Sequence, residues 1–153
     1  MLTQAIIRDR INHFPGRCKK AGLKVTHQRT AVYGMLAATE SHPTPEEVYS
    51  QIRQNLPTVS LATVYKILDL FHKFGFLRKV STEGQVARYD ANVDPHHHVI
   101  CTQCGTIKDI VQESETRIAL TQPEVSDFAI THCDVIYHGL CKGCQSRGRQ
   151  KKG

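Results

Sequence analysis

The sequence predicts an α+β fold in two parts: four helices followed by a basic hairpin, then a small strand-rich unit closed by cysteines. Three observations predict it. Apolar residues recur at helical spacing from Ile6 to Phe71. Short alternating segments take over from Phe76 onward. Of the 6 cysteines, Cys101, Cys104, Cys141 and Cys144 form two CxxC pairs near the C-terminal end. The 153 residues suit one domain or two very small ones. They exclude a barrel enzyme of roughly 250 residues. With 40% hydrophobic and 22% charged residues the chain falls in the globular class. No run approaches the roughly 18 apolar residues of a spanning helix, and Arg8, Asp9, Arg10, Arg17, Lys19 and Lys20 crowd the first turns. The chain is therefore expected to be soluble and cytoplasmic.

The first helix is expected over Thr3 to Ala21, carried by Ile6, Ile7, Ile11 and Phe14, with a kink at Pro15 and a stop at Gly22. Thr26 caps a second helix over His27 to Thr39, whose apolar face is Ala31, Val32, Met35 and Leu36. Thr44, Pro45 and Glu47 spell a capping box with proline at the first helical position, leading into Val48, Tyr49, Ile52 and Leu56. Ser60 caps the fourth helix, where Leu61, Val64, Tyr65, Leu68 and Phe71 keep the apolar spacing until Gly75. Phe76 to Ser81 and Val86 to Ala91 read as two strands around the turn Thr82-Glu83-Gly84-Gln85.

Helices followed by a hairpin are the order of a winged helix-turn-helix domain, here residues 1–93, in which the last helix enters the major groove. The charge supports a nucleic-acid partner. Residues 1–93 hold 13 Lys/Arg against 7 Asp/Glu, while residues 94–146 hold 3 against 7. The outward face of the fourth helix carries Ser60, Ala62, Thr63, Lys66 and Asp69. Arg29, Ser60, Thr63, Tyr65 and Lys66 are the candidate DNA contacts, although Tyr65 sits at the edge of the apolar stripe, where core packing is the ordinary role.

A second domain, residues 94–145, starts near Asp94. His98 to Thr102 and Thr106 to Val111 look like a strand pair bent over the first CxxC. Glu113 to Thr121 can form a short helix, and Asp127 to His138 one or two further strands. Residues 146–153 read as a basic disordered tail. The two CxxC pairs stand 36 residues apart, and four thiolates at that spacing complete the closed tetrahedron that structural zinc prefers. A redox CxxC opens a helix after a strand, whereas each pair here lies in a turn-like setting. Cys18 reads as a half-buried bystander, and Cys133 as a buried free thiol.

Taken together, His42-Pro-Thr-Pro-Glu-Glu47, Ser60-Leu-Ala-Thr-Val-Tyr65, Arg88-Tyr-Asp90, the run His96-His-His98-Val-Ile-Cys101 to Cys104-Gly105, and Tyr137-His-Gly-Leu-Cys141 to Cys144 resemble the ferric uptake regulator family of metal-dependent repressors. The resemblance spans about Gly22 to Cys144. It implies a homodimer with an N-terminal winged-helix DNA-binding domain and a C-terminal dimerisation domain. It implies one Zn²⁺ per chain at Cys101, Cys104, Cys141 and Cys144, and a separate regulatory Fe²⁺ or Mn²⁺ held by His42, Asp90, His96, His98 and Asp109 at the hinge. The donor chemistry agrees: three imidazoles and two carboxylates without a thiolate suit Fe²⁺ or Mn²⁺ and accept Zn²⁺. On a strand His96 and His98 share a side and His97 points away.

Within that family, members that sense iron or zinc usually carry glutamate at the position of Asp109, and iron sensors often do so at Asp90. The peroxide-sensing repressors resemble this chain in having aspartate at both. A further metal site of other branches is not expected to be intact here, because Pro95, His97 and Cys133 stand where other ligand types are usual, although His132 and Cys133 remain potential donors. The implied function is a metal-dependent transcriptional repressor of a pseudo-palindromic double-stranded operator. It would sense hydrogen peroxide by iron-catalysed oxidation of His42 or His96. The alternative is an iron-responsive repressor of metal-uptake genes. An enzyme is not expected, since a metalloenzyme built on His96, His98 and Asp109 leaves the winged-helix half without a role, as does a zinc-storage module.

Overall fold

The computed structural model describes residues 2–80, 86–110, 129 and 135–150. The chain divides into two compact units, Met1–Asp94 and Pro95–Gly153. In the first, helices α1 (Gln4–Lys20), α2 (His27–Ala37), α3 (Pro45–Ile52) and α4 (Leu61–Lys73) precede strands β1 (Arg78–Val80) and β2 (Arg88–Asp90), which pair antiparallel. Each helix begins where a short polar side chain can bond a free backbone N–H: Thr3, Thr26, Thr44 and Ser60 are the caps. At α3 the box closes both ways, with Glu47 N–H on Thr44 Oγ1 at 3.3 Å and Thr44 N–H on Glu47 Oε2 at 2.8 Å. Gly22 (φ 67°) and Gly75 (φ 69°) follow α1 and α4 in the left-handed conformation that ends a helix most readily at glycine.

The elements of the first unit follow the sequence reading with local differences. Helix α1 runs through Pro15, because Phe14 and Cys18, one turn apart, are both sunk in the core and pin the helix on either side of the missing N–H. Cys18 is therefore a fully buried core residue and not half-buried. Helix α2 stops at Ala37 instead of Thr39, since Ala38 and Thr39 turn their N–H groups to the carbonyls of Met35 and Leu36, a tighter i to i−3 pattern. Leu56 lies beyond α3 yet packs on the same core. Strand β1 starts only at Arg78, because Phe76 N–H still bonds Phe71 O at 2.8 Å and the Phe76 and Leu77 side chains are buried. The turn expected at 82–85 lies outside the described residues.

Four rings form the centre of this core. Phe14 stacks on Tyr33 with centroids 4.4 Å apart, and Phe71 and Phe76 meet Phe14 edge-on at 5.5 and 5.8 Å. Arg17 closes the cluster from outside, its guanidinium 4.6 Å from the Phe76 ring centre and hydrogen-bonded to Tyr33 Oη and Gly75 O. Helix α1 thus holds α2, α4 and the entry to β1 on one hydrophobic surface.

In the second unit β3 (His97–Cys101), β4 (Ile107–Ile110) and β5 (Ile136–Gly139) form a sheet in the order β4-β3-β5. The β3-β4 pair is antiparallel and the β3-β5 pair parallel. The helix expected at 113–121 and the start of the segment expected to be extended from 127 lie outside the described residues, as do His132 and Cys133. Where a disordered tail was expected, α5 spans Lys142–Gln150. Its polar sequence carries no apolar stripe and so no local signal for a helix. The second CxxC, expected in a turn, instead opens this helix directly after β5: Cys144 and Gln145 N–H both bond Cys141 O at 3.0 Å, which fixes the first turn, and nucleation is the step that a short helix lacks. Among the described residues no helix is long and apolar enough to cross a membrane.

Phe14→Ala removes the ring common to three aromatic contacts, so it is expected to destabilise the protein by about 3–5 kcal/mol, measured by urea unfolding. A loss under about 1 kcal/mol would show that the cluster collapses around the gap.

Candidate metal centres

The cysteine centre follows from sheet register. In the parallel β3-β5 pair Cys101 lies opposite Gly139, and Thr102 N–H bonds Gly139 O at 2.8 Å. Pairs distant in sequence thereby become neighbours. Gly105 (φ 69°) turns the first knuckle, its N–H on Cys101 O at 2.9 Å. The four sulfurs lie within 4.8 Å of one another, and Cys104 Sγ and Cys141 Sγ stand 3.7 Å apart. Zinc–sulfur bonds of about 2.3 Å put tetrahedral sulfurs about 3.8 Å apart. A disulfide would need about 2.05 Å, and all four thiols are free. The cluster fits a zinc site.

Hydrogen bonds aimed at the sulfurs support that reading. Cys141 N–H donates to Cys101 Sγ at 3.3 Å, Thr106 Oγ1 lies 3.2 Å from Cys104 Sγ, and Arg147 on α5 reaches Cys144 Sγ at 3.7 Å. Backbone N–H groups, that of Cys141 foremost, draw the Cys101 thiol down to about 6. Thr106 lowers Cys104, and burial followed by the surrounding sulfurs pushes Cys144 up to about 12. Four thiolates crowd one another, and a divalent cation at their centre is what lets all of them ionise.

The histidine and aspartate donors fall into two sets, one in each unit. In the first unit His42 occupies the α2-α3 loop and Asp90 ends β2. Both are buried, with His42 Nε2 3.6 Å from Asp90 Oδ2. His42 has φ 51°, a conformation that side chains other than glycine seldom adopt. Its Nδ1–H donates to Glu40 O at 3.0 Å, which directs the Nε2 lone pair to the carboxylate side, while Asp90 Oδ1 accepts from Asn92 N–H at 2.7 Å. In the second unit His98 and Asp109 are register partners across β3 and β4. His96 Nε2 lies 2.9 Å from His98 Nε2 and 3.7 Å from Asp109 Oδ1, and His98 Nε2 lies 3.9 Å from that oxygen. Bonds of about 2.1 Å to a six-coordinate ion separate neighbouring donors by about 3.0 Å and opposite ones by about 4.2 Å. Both sets fit a divalent ion.

The candidate DNA face belongs to the first unit. A cleft of about 480 Å³ is lined by Lys24 and the cap Thr26 just before α2, by Arg29 in its first turn, and by Thr63, Lys66 and Ile67 of α4, among others. Arg29 Nη1 bonds Lys24 O at 2.6 Å, which ties that side chain to the cleft wall. Ser60 caps α4 through Thr63 N–H at 3.1 Å, and Lys66 is exposed. Tyr65 is not packed in the core: it is exposed, and its hydroxyl donates to Glu46 Oε1 at 2.6 Å. That carboxylate holds the phenol proton and raises Tyr65, while Glu46 is lowered.

Residues 20–138 match the ferric uptake regulator family. The chain belongs to that family. Members are transcription regulators, and this one is a metal-dependent regulator of that kind. It is 33% identical over 130 residues to the peroxide-responsive repressor PerR of Staphylococcus epidermidis, covering 85% of this chain and 87% of that protein. The fold matches the Helicobacter pylori ferric uptake regulator Fur, described with three functional metal-binding sites, at a TM-score of 0.70 and 26% identity over 94% and 95% of the two chains. It also matches PerR of Streptococcus pyogenes at 0.52 and 26%, over 89% and 93%.

Sequence reasoning on this regulator missed Lys24 and Gln28, which line the cleft beside Arg29, and Arg88, which bonds the loop that carries His42. Lys24 had a signal in its charge just before the Thr26 cap, and the neutral Gln28 only in its place in the first turn of α2. Arg88 stands in the Arg88-Tyr-Asp90 motif, but its contacts had no local signal, because its partners lie more than 40 residues away in sequence.

Cys144→Ser is expected to lower bound zinc by about one ion per chain, measured by elemental analysis, and to lower the melting temperature. Full zinc content in the variant would rule out the four-sulfur centre. Lys66→Ala is expected to weaken binding to every DNA sequence and to flatten the salt dependence by about one unit of slope. An unchanged slope would take Lys66 off the phosphates.

Proposed function

We propose that this regulator is a homodimeric cytoplasmic repressor that senses hydrogen peroxide through Fe²⁺ held jointly by His42, Asp90, His96, His98 and Asp109, with one Zn²⁺ per chain at the four cysteines. The donor set carries the reading: three imidazoles and two aspartates, with neither thiolate nor glutamate, form a borderline-to-hard set for Fe²⁺ or Mn²⁺. The likeness to peroxide-responsive repressors supports it. The short carboxylates leave an approach to the ion open for a small oxidant.

When bound, Fe²⁺ supplies the reducing chemistry that cleaves the peroxide O–O bond. His42 and His96 are the rings set to be oxidised: one oxygen of peroxide would replace the hydrogen of an imidazole C–H bond, the ring giving up two electrons in all, and the other oxygen would leave as water. Each residue has a second duty. His42 and Asp90 donate from the DNA-binding unit and His96, His98 and Asp109 from the other, so a shared ion favours one arrangement of the two, and that arrangement fits two half-sites of a pseudo-palindromic operator. An oxidised ring ligates poorly, and the preference is lost. Arg29, Ser60, Thr63, Tyr65 and Lys66 make the DNA contacts, sorted by place: Arg29 and Lys66 to phosphate, the N-terminal turn of α4 to base edges.

A second reading, an iron-responsive repressor of uptake genes, is favoured by the higher structural match to the Helicobacter Fur, 0.70 against 0.52. The same experiment separates them. Wild type, Asp109→Glu and His42→Ala are compared for binding to a duplex selected with the Mn²⁺-loaded protein, first with Mn²⁺ and then with Fe²⁺ and peroxide. Asp109→Glu keeps the ligand type and pushes the carboxylate one methylene further in, so Mn²⁺-dependent binding is expected to survive while histidine oxidation falls sharply. His42→Ala removes a donor from the DNA-binding unit and is expected to lose metal-dependent binding under both conditions. Equal histidine oxidation in Asp109→Glu and wild type would remove the short carboxylate from the account.

A further inference from the structure

The loop that carries His42 is bent against its own preference. A left-handed residue other than glycine persists only where its surroundings fix it, and three hydrogen bonds do so here. Besides the Nδ1–H bond to Glu40 O, Tyr89 N–H donates to Pro43 O at 3.1 Å, and Arg88 Nη1 donates to His42 O at 3.0 Å. The same Arg88 nitrogen reaches Glu47 Oε2 at 3.1 Å, and that oxygen also accepts Thr44 N–H in the capping box of α3. Arg88 stands on β2 two residues before Asp90, and its side chain is only 21% exposed. One guanidinium therefore ties three things: the carbonyl of one metal donor, the helix that follows it, and the strand that bears the other donor.

We propose that Arg88 is a positioning residue for the regulatory ion, holding His42 and Asp90 at ligand spacing before any ion arrives. The inference rests on the reading of those two residues as ligands. Arginine suits the task because the two N–H bonds of that one Nη1 lie in the guanidinium plane and point in fixed directions, here to a carbonyl and a carboxylate, whereas a lysine ammonium rotates freely about its stem. Glu47 gives the fork its anionic anchor. Groups that orient ligands in this way typically account for about 10–100-fold in metal affinity.

Mn²⁺ binding to zinc-replete full-length protein, followed by electron paramagnetic resonance of the free ion, tests this on Arg88→Ala, Arg88→Lys, Glu47→Gln and His42→Ala. Arg88→Ala is expected to weaken Mn²⁺ binding by about 10–100-fold, with Arg88→Lys and Glu47→Gln between it and wild type. DNA affinity at saturating Mn²⁺ is expected to return to the wild-type value. Should Arg88→Ala fail to fold, the two milder variants carry the test. Wild-type Mn²⁺ affinity in Arg88→Ala, with DNA binding reduced at every Mn²⁺ concentration and a flatter salt dependence, would make Arg88 a phosphate contact and overturn the proposal. A lower melting temperature with unchanged Mn²⁺ affinity in Arg88→Ala, Arg88→Lys and Glu47→Gln would overturn it as well. If His42→Ala itself binds Mn²⁺ as wild type does, the ligand reading beneath the proposal fails, which is a different result from failure at Arg88.

Discussion

The register of β3 against its two neighbours is the constraint on which both candidate centres of the second unit depend. Pairing with β4 sets Asp109 opposite His98, and pairing with β5 sets Gly139 opposite Cys101, two residues before Cys141. Because side chains alternate along a strand, a slip of one residue would turn His98 to the other face and carry Cys101 away from the second knuckle. Bonding four sulfurs to one zinc would in turn oppose that slip. Sheet order and donor chemistry thus reinforce each other in a unit too small to rely on its apolar core alone.

The first unit solves a different problem. Its core is closed by the Phe14, Tyr33, Phe71 and Phe76 rings, which leaves the α2-α3 loop and β2 free to be shaped by polar contacts. His42 and Asp90 are buried there with assigned outer partners, Glu40 O for one and Asn92 N–H for the other, and Asn92 Oδ1 is itself held by Arg10 of α1 at 2.9 Å. Buried ionisable groups ordered by a layer of fixed donors and acceptors are how proteins prepare a metal shell.

Much of this was legible in the sequence, for stated physical reasons. Caps at Thr26, Thr44 and Ser60 and stops at Gly22 and Gly75 are local signals, because the groups involved lie within four residues of each other. The period of two in His96 and His98 and the CxxC spacings are local as well. What escaped the sequence depends on distant partners or on context. The left-handed backbone of His42 needs Arg88 from 46 positions away, and the fully buried state of Cys18 follows from α1 packing through Pro15. Helix α5 has a sequence that would not be helical alone, and its first turn is fixed by the cysteine knuckle before it. Tyr65 falls at the edge of the apolar stripe, and its hydrogen bond to the Glu46 carboxylate at 2.6 Å holds it outside the core.

The difference between a peroxide sensor and an iron sensor lies in whether a ring at the regulatory ion is consumed. Mass spectrometry of histidine-containing peptides from the Fe²⁺-loaded, zinc-replete protein, before and after dilute hydrogen peroxide, tests that directly, with Mn²⁺-loaded protein as the control. One added oxygen is expected on the peptide bearing His42 or on that bearing His96 in the iron sample alone, in step with release from DNA. Unmodified histidines on both peptides, with DNA binding retained through the peroxide treatment, would contradict it and leave the iron-responsive repressor as the function.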